Sequence, residues 1–481
     1  MKNKFKWRDT FLFFFFGACI ILVIYGSIIQ SYFIGEDYAW WQYVRGRSFI
    51  EVLRYFLYPP SEKLAGFYHP LVGLSYWLNV NTTWMNPVGF HLTSFLLHFG
   101  SFLLVVAIGK VLLGNRTTSF LSGLFFLVFP FHAEAVAWID GRHDLLAAFF
   151  GLTSFYLFLR WFENRQRWQI ACSCLFLFLA LSSKEMAITF PLVFSFYTWW
   201  IGKGTVFLRS KNAFQLTKGY YAILLVYFFL RIRYVGEVNP LSAASHLMLT
   251  VPRPTILYMV FLFSSFVFFF SLKKHVKKDL WRSFSLLPLF AVVIGLLYLP
   301  TAFLFTEIRY LYLPSTMASI FLANFVDLLW RMKHAYSKGI RIVLMIGVLG
   351  IWILSGYYLI GKVYDWKTAS EIARRTTVEF KKYSEDIPES ATVYFLNLPD
   401  NYKGSYIFRT HAVEAFRYGT GRDFQRLYIL PTTLGLQESS ARFSKKNEIE
   451  VVSKDGFLLF PPLITRELSG GIKVMETGTY T

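Results

Sequence analysis

Hydrophobic residues fall into eleven runs long enough to cross a bilayer, at about 10–31, 88–112, 117–138, 143–161, 168–183, 185–201, 219–235, 254–272, 283–303, 311–330 and 340–361. The connections between them alternate in character. Every second one is basic: Lys2, Lys4, Lys6 and Arg8; Lys110 and Arg116; Arg160, Arg165 and Arg167; Lys203, Arg209, Lys211 and Lys218; Lys273, Lys274, Lys277, Lys278 and Arg282; Arg331, Lys333, Lys338 and Arg341. This positive-inside pattern predicts a cytoplasmic amino terminus. The other side then receives 32–87, 139–142, 184, 231–253 and 304–310, and an odd number of crossings sends everything after 362 there too.

Two stretches break the pattern of long apolar runs. Between the first and second runs, Tyr38 to Tyr58 mixes Trp40, Trp41, Phe49, Leu53 and Phe56 with Arg45, Arg47, Glu51 and Arg54, the make-up of a helix or helix pair lying in the headgroup plane. After Lys362 the charges are nearly balanced, a helical stretch from Trp366 to Tyr383 precedes strand-like segments such as ATVYFLNL and IEVVSKDGFLLF, and a small mixed α/β domain in water is expected. The expected architecture is therefore a polytopic α-helical membrane domain over 1–361, with 32–87 as its first outer loop, and an extracytoplasmic α/β domain over 362–481. No repeat of about 34 residues is present.

Composition agrees with the pattern: 55% hydrophobic and 20% aromatic residues in 481 exclude both an ordinary soluble enzyme and a disordered chain. The formal charge of +20 reflects topology, since the excess sits in the short alternate loops, and no nucleic-acid partner is implied. Cys19, Cys172 and Cys174 all lie inside apolar runs, without disulfide or zinc spacing. The segment Thr10–Ser31 is longer than a signal-peptide core and reads as a retained anchor.

The chemistry is concentrated on the predicted outer side. FIGEDYAWWQYVRGR, 33–47, places Glu36 and Asp37 directly after the first apolar run, where a carboxylate pair calls for water, a cation or a reaction. Four further stretches bring a cation and a carboxylate to the same level: HAEAVAWIDGRHDLL (132–146), SSKEMAITFP (182–191), LRIRYVGE (230–237) and TEIRYLYLPS (306–315). Such cations can hold a lipid phosphate as a bond to it breaks, while a carboxylate takes the proton of an acceptor hydroxyl.

Read together, the acidic pair, YHPLVGLSYWLN, NPVGFHLTSFLLH, PFHAEAVAWIDGRHDLLA, LSSKEMAITFP and IRYLYLPS resemble, in order and spacing over roughly 30 to 315, glycosyltransferases of the GT-C fold. The likeness is to the dolichyl-phosphate-mannose protein mannosyltransferase superfamily, and within it to the transmembrane tetratricopeptide O-mannosyltransferases and their prokaryotic relatives. The resemblance implies inverting transfer of one sugar from a polyprenyl-phosphate carrier to an acceptor, protein or glycan, outside the cytoplasm; in a prokaryote the membrane is the plasma membrane. It implies Asp37 as the base, ahead of Glu36, and a phosphate site built from Arg309, Lys184 and Arg231 or Arg233. Around these, Arg142, Asp144, Glu134, Glu307, His132 and Tyr310 complete the expected substrate site. An acidic pair can hold Mg²⁺ or Mn²⁺, but the resemblance favours a reaction without metal or other cofactor. The tetratricopeptide tail of the family is replaced here by the domain containing LNLPDNYKGSYIFRTHAVEAFR.

Plainer readings stand beside these. Glu36 and Asp37 can be a solvated loop pair. Arg309 can snorkel from a helix end, Lys184 and Glu185 can pair across a tight turn, Asp144 can cap a helix, and His132 can make a structural hydrogen bond. Arg231 and Arg233 can anchor to headgroups, and Tyr402–Tyr406 reads as a turn. At the level of the whole chain, a transporter or flippase of lipid-linked sugars, or a non-catalytic assembly subunit, would use the same charges differently.

Overall fold

The computed structural model describes residues 7–58, 68–234, 280–302, 307–332, 337–388, 392–396, 398–408 and 411–422, and the strands at 426–430, 439–445, 448–453, 466–468 and 472–477. Its helices are α1 (Trp7–Tyr25), α2 (Asp37–Val44), α3 (Phe49–Arg54), α4 (Pro70–Thr83), α5 (Pro87–Leu113), α6 (Arg116–Leu127), α7 (Ala133–Ala137), α8 (Arg142–Asn164), α9 (Arg167–Leu181), α10 (Phe190–Ile201), α11 (Val206–Ile232), α12 (Trp281–Ala302), α13 (Tyr312–Arg331), α14 (Lys338–Ser384) and α15 (Ala412–Thr420). The chain forms two compact units, Met1–Ser27 with Gly46–Val363, and Ile28–Arg45 with Tyr364–Thr481. Residues 28–45, which span the end of the first apolar run and the start of the expected first outer loop, thus belong to the second unit.

In the first unit every expected apolar run within the described residues carries a helix; the run at 254–272 lies outside them. Among the described residues, six helices are long and apolar enough to cross a membrane: Pro87–Leu113, Arg142–Asn164, Val206–Ile232, Ser283–Thr301, Ile308–Arg331 and Lys338–Ser384. Local chemistry sets their ends. Pro87 opens α5 behind the Asn86 cap, whose side chain accepts from the Val88 N–H; Gly114 closes the helix at φ +73°, and Asn115 caps α6 at once by accepting from the Thr117 N–H.

Three boundaries differ from the pattern of runs. The run 117–138 is helical only to Leu127, because Pro130 has no N–H for the ladder and disfavours helical geometry in the residue before it. The chain then turns and forms the short α7. In the run 185–201, Lys184 is extended and Glu185–Thr189 form a 3-10 turn, so the α-helix starts only at Phe190, with Pro191 in its first turn. The last run continues without a break into a helix of 47 residues, since neither Gly nor Pro occurs between Lys362 and Ser384, and Glu371 pairs with Arg374 and Arg375 one turn on.

The second unit holds α2, the carboxyl part of α14, α15 and the strands. β1 (Thr392–Leu396) pairs in parallel with β4 (Arg426–Leu430), α15 lying between them in the chain. β2 (Asn401–Tyr402) and β3 (Ser405–Tyr406) form a hairpin turned by Lys403 and Gly404, both at positive φ. β5 (Ser439–Lys445), β6 (Glu448–Ser453), β7 (Arg466–Leu468) and β8 (Ile472–Thr477) make a sheet of order β5-β6-β8-β7. Phe416 of α15 stacks on Phe395 of β1 at 4.1 Å and meets Phe380 of α14 edge-on at 4.9 Å.

Candidate functional site

Polar turns of the first unit converge on one buried cluster. The α7–α8 turn supplies Glu134, Trp138 and Asp144. Gly141 is required there, because a Cβ would lie 2.6 Å from the Ala135 carbonyl oxygen and 2.7 Å from that of Glu134. The turn after α9 supplies Lys184 and Glu185, the end of α11 supplies Arg231, and the 3-10 turn Ile308–Leu311 before α13 supplies Arg309 and Tyr310.

Arg309 is the hub. Its guanidinium pairs with Glu134 and lies 3.7 Å from Asp144 Oδ2 and 4.0 Å from Glu307. It also lies over the rings of Trp138 and Tyr310, at 5.1 Å and 5.2 Å from their centroids. Lys184 Nζ donates to the same Asp144 oxygen at 2.6 Å and lies 4.3 Å from the centre of the Tyr310 ring. Two cations therefore share one carboxylate oxygen and one aromatic ring. Beside them Glu185 Oε2 is 2.9 Å from His69 Nε2 and 3.7 Å from Arg231, which donates to the Tyr227 hydroxyl at 2.7 Å.

Burial makes these charges consequential. Lys184, Asp144 and Glu134 are 6%, 5% and 9% exposed. Burial pushes the Glu134 carboxyl above its usual range; Arg309 opposes the rise, while Glu307 and Asp144 add to it. The Lys184 ammonium is lowered by burial and by Arg309, with Asp144 restoring part. For Glu185, burial acts upward but is outweighed by the hydrogen bond and charge of His69, with Arg231 and Lys184, and the carboxyl is held well below its usual range. Removing one member of such a cluster leaves its partner charged in a dry environment, at a cost of about 3–5 kcal/mol. Among the described residues no group of three His, Cys, Asp or Glu side chains is arranged to hold a metal ion.

The expected residues divide. Arg309, Lys184, Arg231, Asp144, Glu134, Glu307 and Tyr310 meet in the cluster. Arg142 turns the other way, donating to the Phe90 carbonyl at 3.0 Å and lying over the rings of Tyr76 and Phe90. His132 is fully buried and bonded to Ser315 Oγ at 2.7 Å, against Tyr312 and Phe126. Arg233 is exposed and stacks over Phe229 of its own helix. Lys184 and Glu185 do not pair with each other but with Asp144 and His69. Sequence reasoning missed Trp138 as a platform and the His69–Glu185 contact; the signal for the latter was a histidine and a glutamate each beside a helix-starting segment, in YHPL and SKEM.

Glu36 and Asp37 lie in the second unit. Asp37 opens α2, is 1% exposed, and its Oδ2 accepts from the Ile34 N–H at 2.9 Å, while Glu36 just before it is half-buried.

No protein-family model matches the chain. Curated relatives do: Protein O-mannosyl-transferase Tmtc1 of Drosophila melanogaster is 35% identical over 124 residues, 26% of this chain and 14% of the relative. Protein O-mannosyl-transferase TMTC2 of Homo sapiens is 39% identical over 98 residues, 20% and 12% of the two chains, and TMTC3 of Homo sapiens 30% identical over 163 residues, 33% and 18%. The matched stretches thus span less than a fifth of these relatives' length. Among solved structures, the Archaeoglobus fulgidus oligosaccharyltransferase tethered to an acceptor peptide superposes with a TM-score of 0.50 at 12% identity, covering 89% of this chain and 64% of that one, which is a likeness of fold. With its apolar helices the chain is an integral membrane protein. Over part of its length the chain is thus similar in sequence to protein O-mannosyl-transferases, and over most of it the fold is similar to that of the archaeal oligosaccharyltransferase.

Proposed function

We propose that this chain is a membrane glycosyltransferase that moves a single sugar from a polyprenyl-phosphate-linked donor to an extracytoplasmic acceptor, protein or glycan, by inverting displacement. The amino terminus lies in the cytoplasm and the second unit outside it. The observation that carries the reading is the Arg309–Lys184 pair, a half-buried arginine and a buried lysine at the ends of membrane segments, sharing Asp144 and the face of Tyr310. In the reaction the acceptor hydroxyl attacks the anomeric carbon, its proton passes to Asp37, the bond to the phosphate oxygen breaks, and the released phosphate charge is met by Arg309, Lys184 and Arg231. The names of the relatives and the shared fold support this class of reaction. No metal takes part, so a chelator leaves the rate unchanged.

The test is transfer by the purified protein in sealed proteoliposomes, with tritiated polyprenyl-phosphate mannose and peptide or glycan acceptors. Label moving to an acceptor with inverted anomeric configuration is the expected result. Label crossing the bilayer without changing its chemical linkage would instead make the chain a flippase.

A pH dependence follows from the same cluster. An incoming phosphodiester competes with Glu134 for Arg309, and a displaced Glu134 is a buried carboxylate whose proton affinity is already raised. Donor binding therefore takes up a proton. Affinity should strengthen as pH falls toward the raised Glu134 titration, by at most about tenfold per pH unit for one proton. A Glu134→Gln variant should bind the donor with little pH dependence; an unchanged slope in that variant would remove Glu134 from the exchange. The sign for stability agrees: a raised carboxyl stabilises the fold most when protonated, and that contribution is lost as pH rises through the folded-state titration.

A further inference from the structure

We propose that the second unit is a clamp that positions the acidic pair, with Tyr418 as its main positioning residue; this rests on reading Glu36 and Asp37 as the source of the base. Residues 28–45 are compact with 364–481 although more than three hundred residues separate them in the chain. The unit grips the segment at three places. Ser370 Oγ of α14 donates to the Tyr32 carbonyl at 3.0 Å; the Gly35 N–H donates to the Ile407 carbonyl at 3.0 Å; and the Tyr418 ring of α15 meets Trp41, Tyr38 and Phe33 with centroids 5.1, 5.7 and 5.9 Å away.

These contacts bracket the carboxylates. Gly35, at φ +52°, and Tyr38 stand on either side of Glu36 and Asp37, and the Tyr38 hydroxyl closes the loop by donating to the Phe33 carbonyl at 3.0 Å. Tyr418 is on the opposite side of α15 from the unit's own core: Phe416, two residues and some 200° earlier on the helix, takes the contacts with Phe395, Phe380 and Phe408. Gly419 brings α15 against α14, since a Cβ there would meet Thr377 Cγ2 at 2.0 Å. Tyr418 therefore stands on a helix fixed by other residues and spends its ring on the acidic segment. A general base displaced by about 1 Å loses on the order of a hundredfold in rate without any loss of substrate binding.

The experiment uses the full-length protein in nanodiscs with polyprenyl-phosphate mannose as donor. Tyr418→Ala should lower kcat by about 10- to 100-fold with donor KM within about twofold, and hydrogen exchange across 32–44 should accelerate. Tyr418→Phe, which keeps the ring, should restore both. Trp41→Ala removes the same ring contact from the loop side and should reproduce the kcat loss, which keeps the test open if Tyr418→Ala does not fold. Unchanged kcat and unchanged exchange in Tyr418→Ala and Trp41→Ala would overturn the clamp, as would an equal kcat loss in Tyr418→Phe. If Asp37→Asn and Glu36→Gln both retain full transfer, the reading of the acidic pair fails instead, and the exchange measurement still reports whether Tyr418 holds the segment.

Discussion

Arg309→Ala is expected to lower sugar transfer by about a thousandfold, the scale seen when a cation or donor that meets developing phosphate or oxyanion charge is deleted. Two effects contribute, and they separate. Removing the guanidinium takes away the cation that Glu134, Asp144 and Glu307 surround, and leaves Glu134 without its ion pair, a destabilisation of about 3 kcal/mol. Glu134→Gln in the same chain removes that stranded charge, so the double variant should recover much of the thermal stability lost by Arg309→Ala. It should recover none of the activity. Arg309→Lys keeps the charge but not the planar fork that spans Glu134 and Asp144 over Trp138 and Tyr310, and an intermediate rate is expected. Near wild-type kcat/KM in the double variant would show that Arg309 serves only to neutralise Glu134.

Which polar turns would meet was legible in the sequence, because each sits where an apolar run ends and carries charges that hydrocarbon would not tolerate unpaired. Which side chain of each turn would face the others was not. Arg142 and Asp144 are two residues apart at the start of α8, hence about 200° apart around it; Asp144 faces Lys184 while Arg142 faces Tyr76 and Phe90. Arg231 and Arg233 repeat the case, one reaching Glu185 and the other lying over Phe229. Lys184 is extended, so it and Glu185 diverge to separate partners. Charges close together in sequence are split by helical or extended geometry. The grouping of 28–45 with the carboxyl-terminal unit was invisible for another reason: its contacts join residues hundreds of positions apart, and a single sequence carries no local mark of such pairing.

Asp37→Asn is expected to leave the protein folded and donor binding intact while transfer falls by about 10²–10⁴-fold, the usual contribution of a positioned general base. Folding should survive because the amide oxygen can still accept the Ile34 N–H that Asp37 Oδ2 now takes, and because α2 keeps its packing through Tyr38 and Trp41. The companion variant Glu36→Gln decides between the two carboxylates. Asp37 is the more buried and is committed to the loop backbone, whereas Glu36 is only half-buried. If Glu36→Gln is the inactive variant and Asp37→Asn transfers normally, the proton goes to Glu36 and Asp37 shapes the loop that presents it. If the loss follows Asp37 alone, the pH–rate profile of wild type should show one group ionising on the acid limb, and that limb should vanish in Asp37→Asn. Full activity in both variants would leave the hydroxyl without a base from this segment and would remove the second unit from the chemistry altogether.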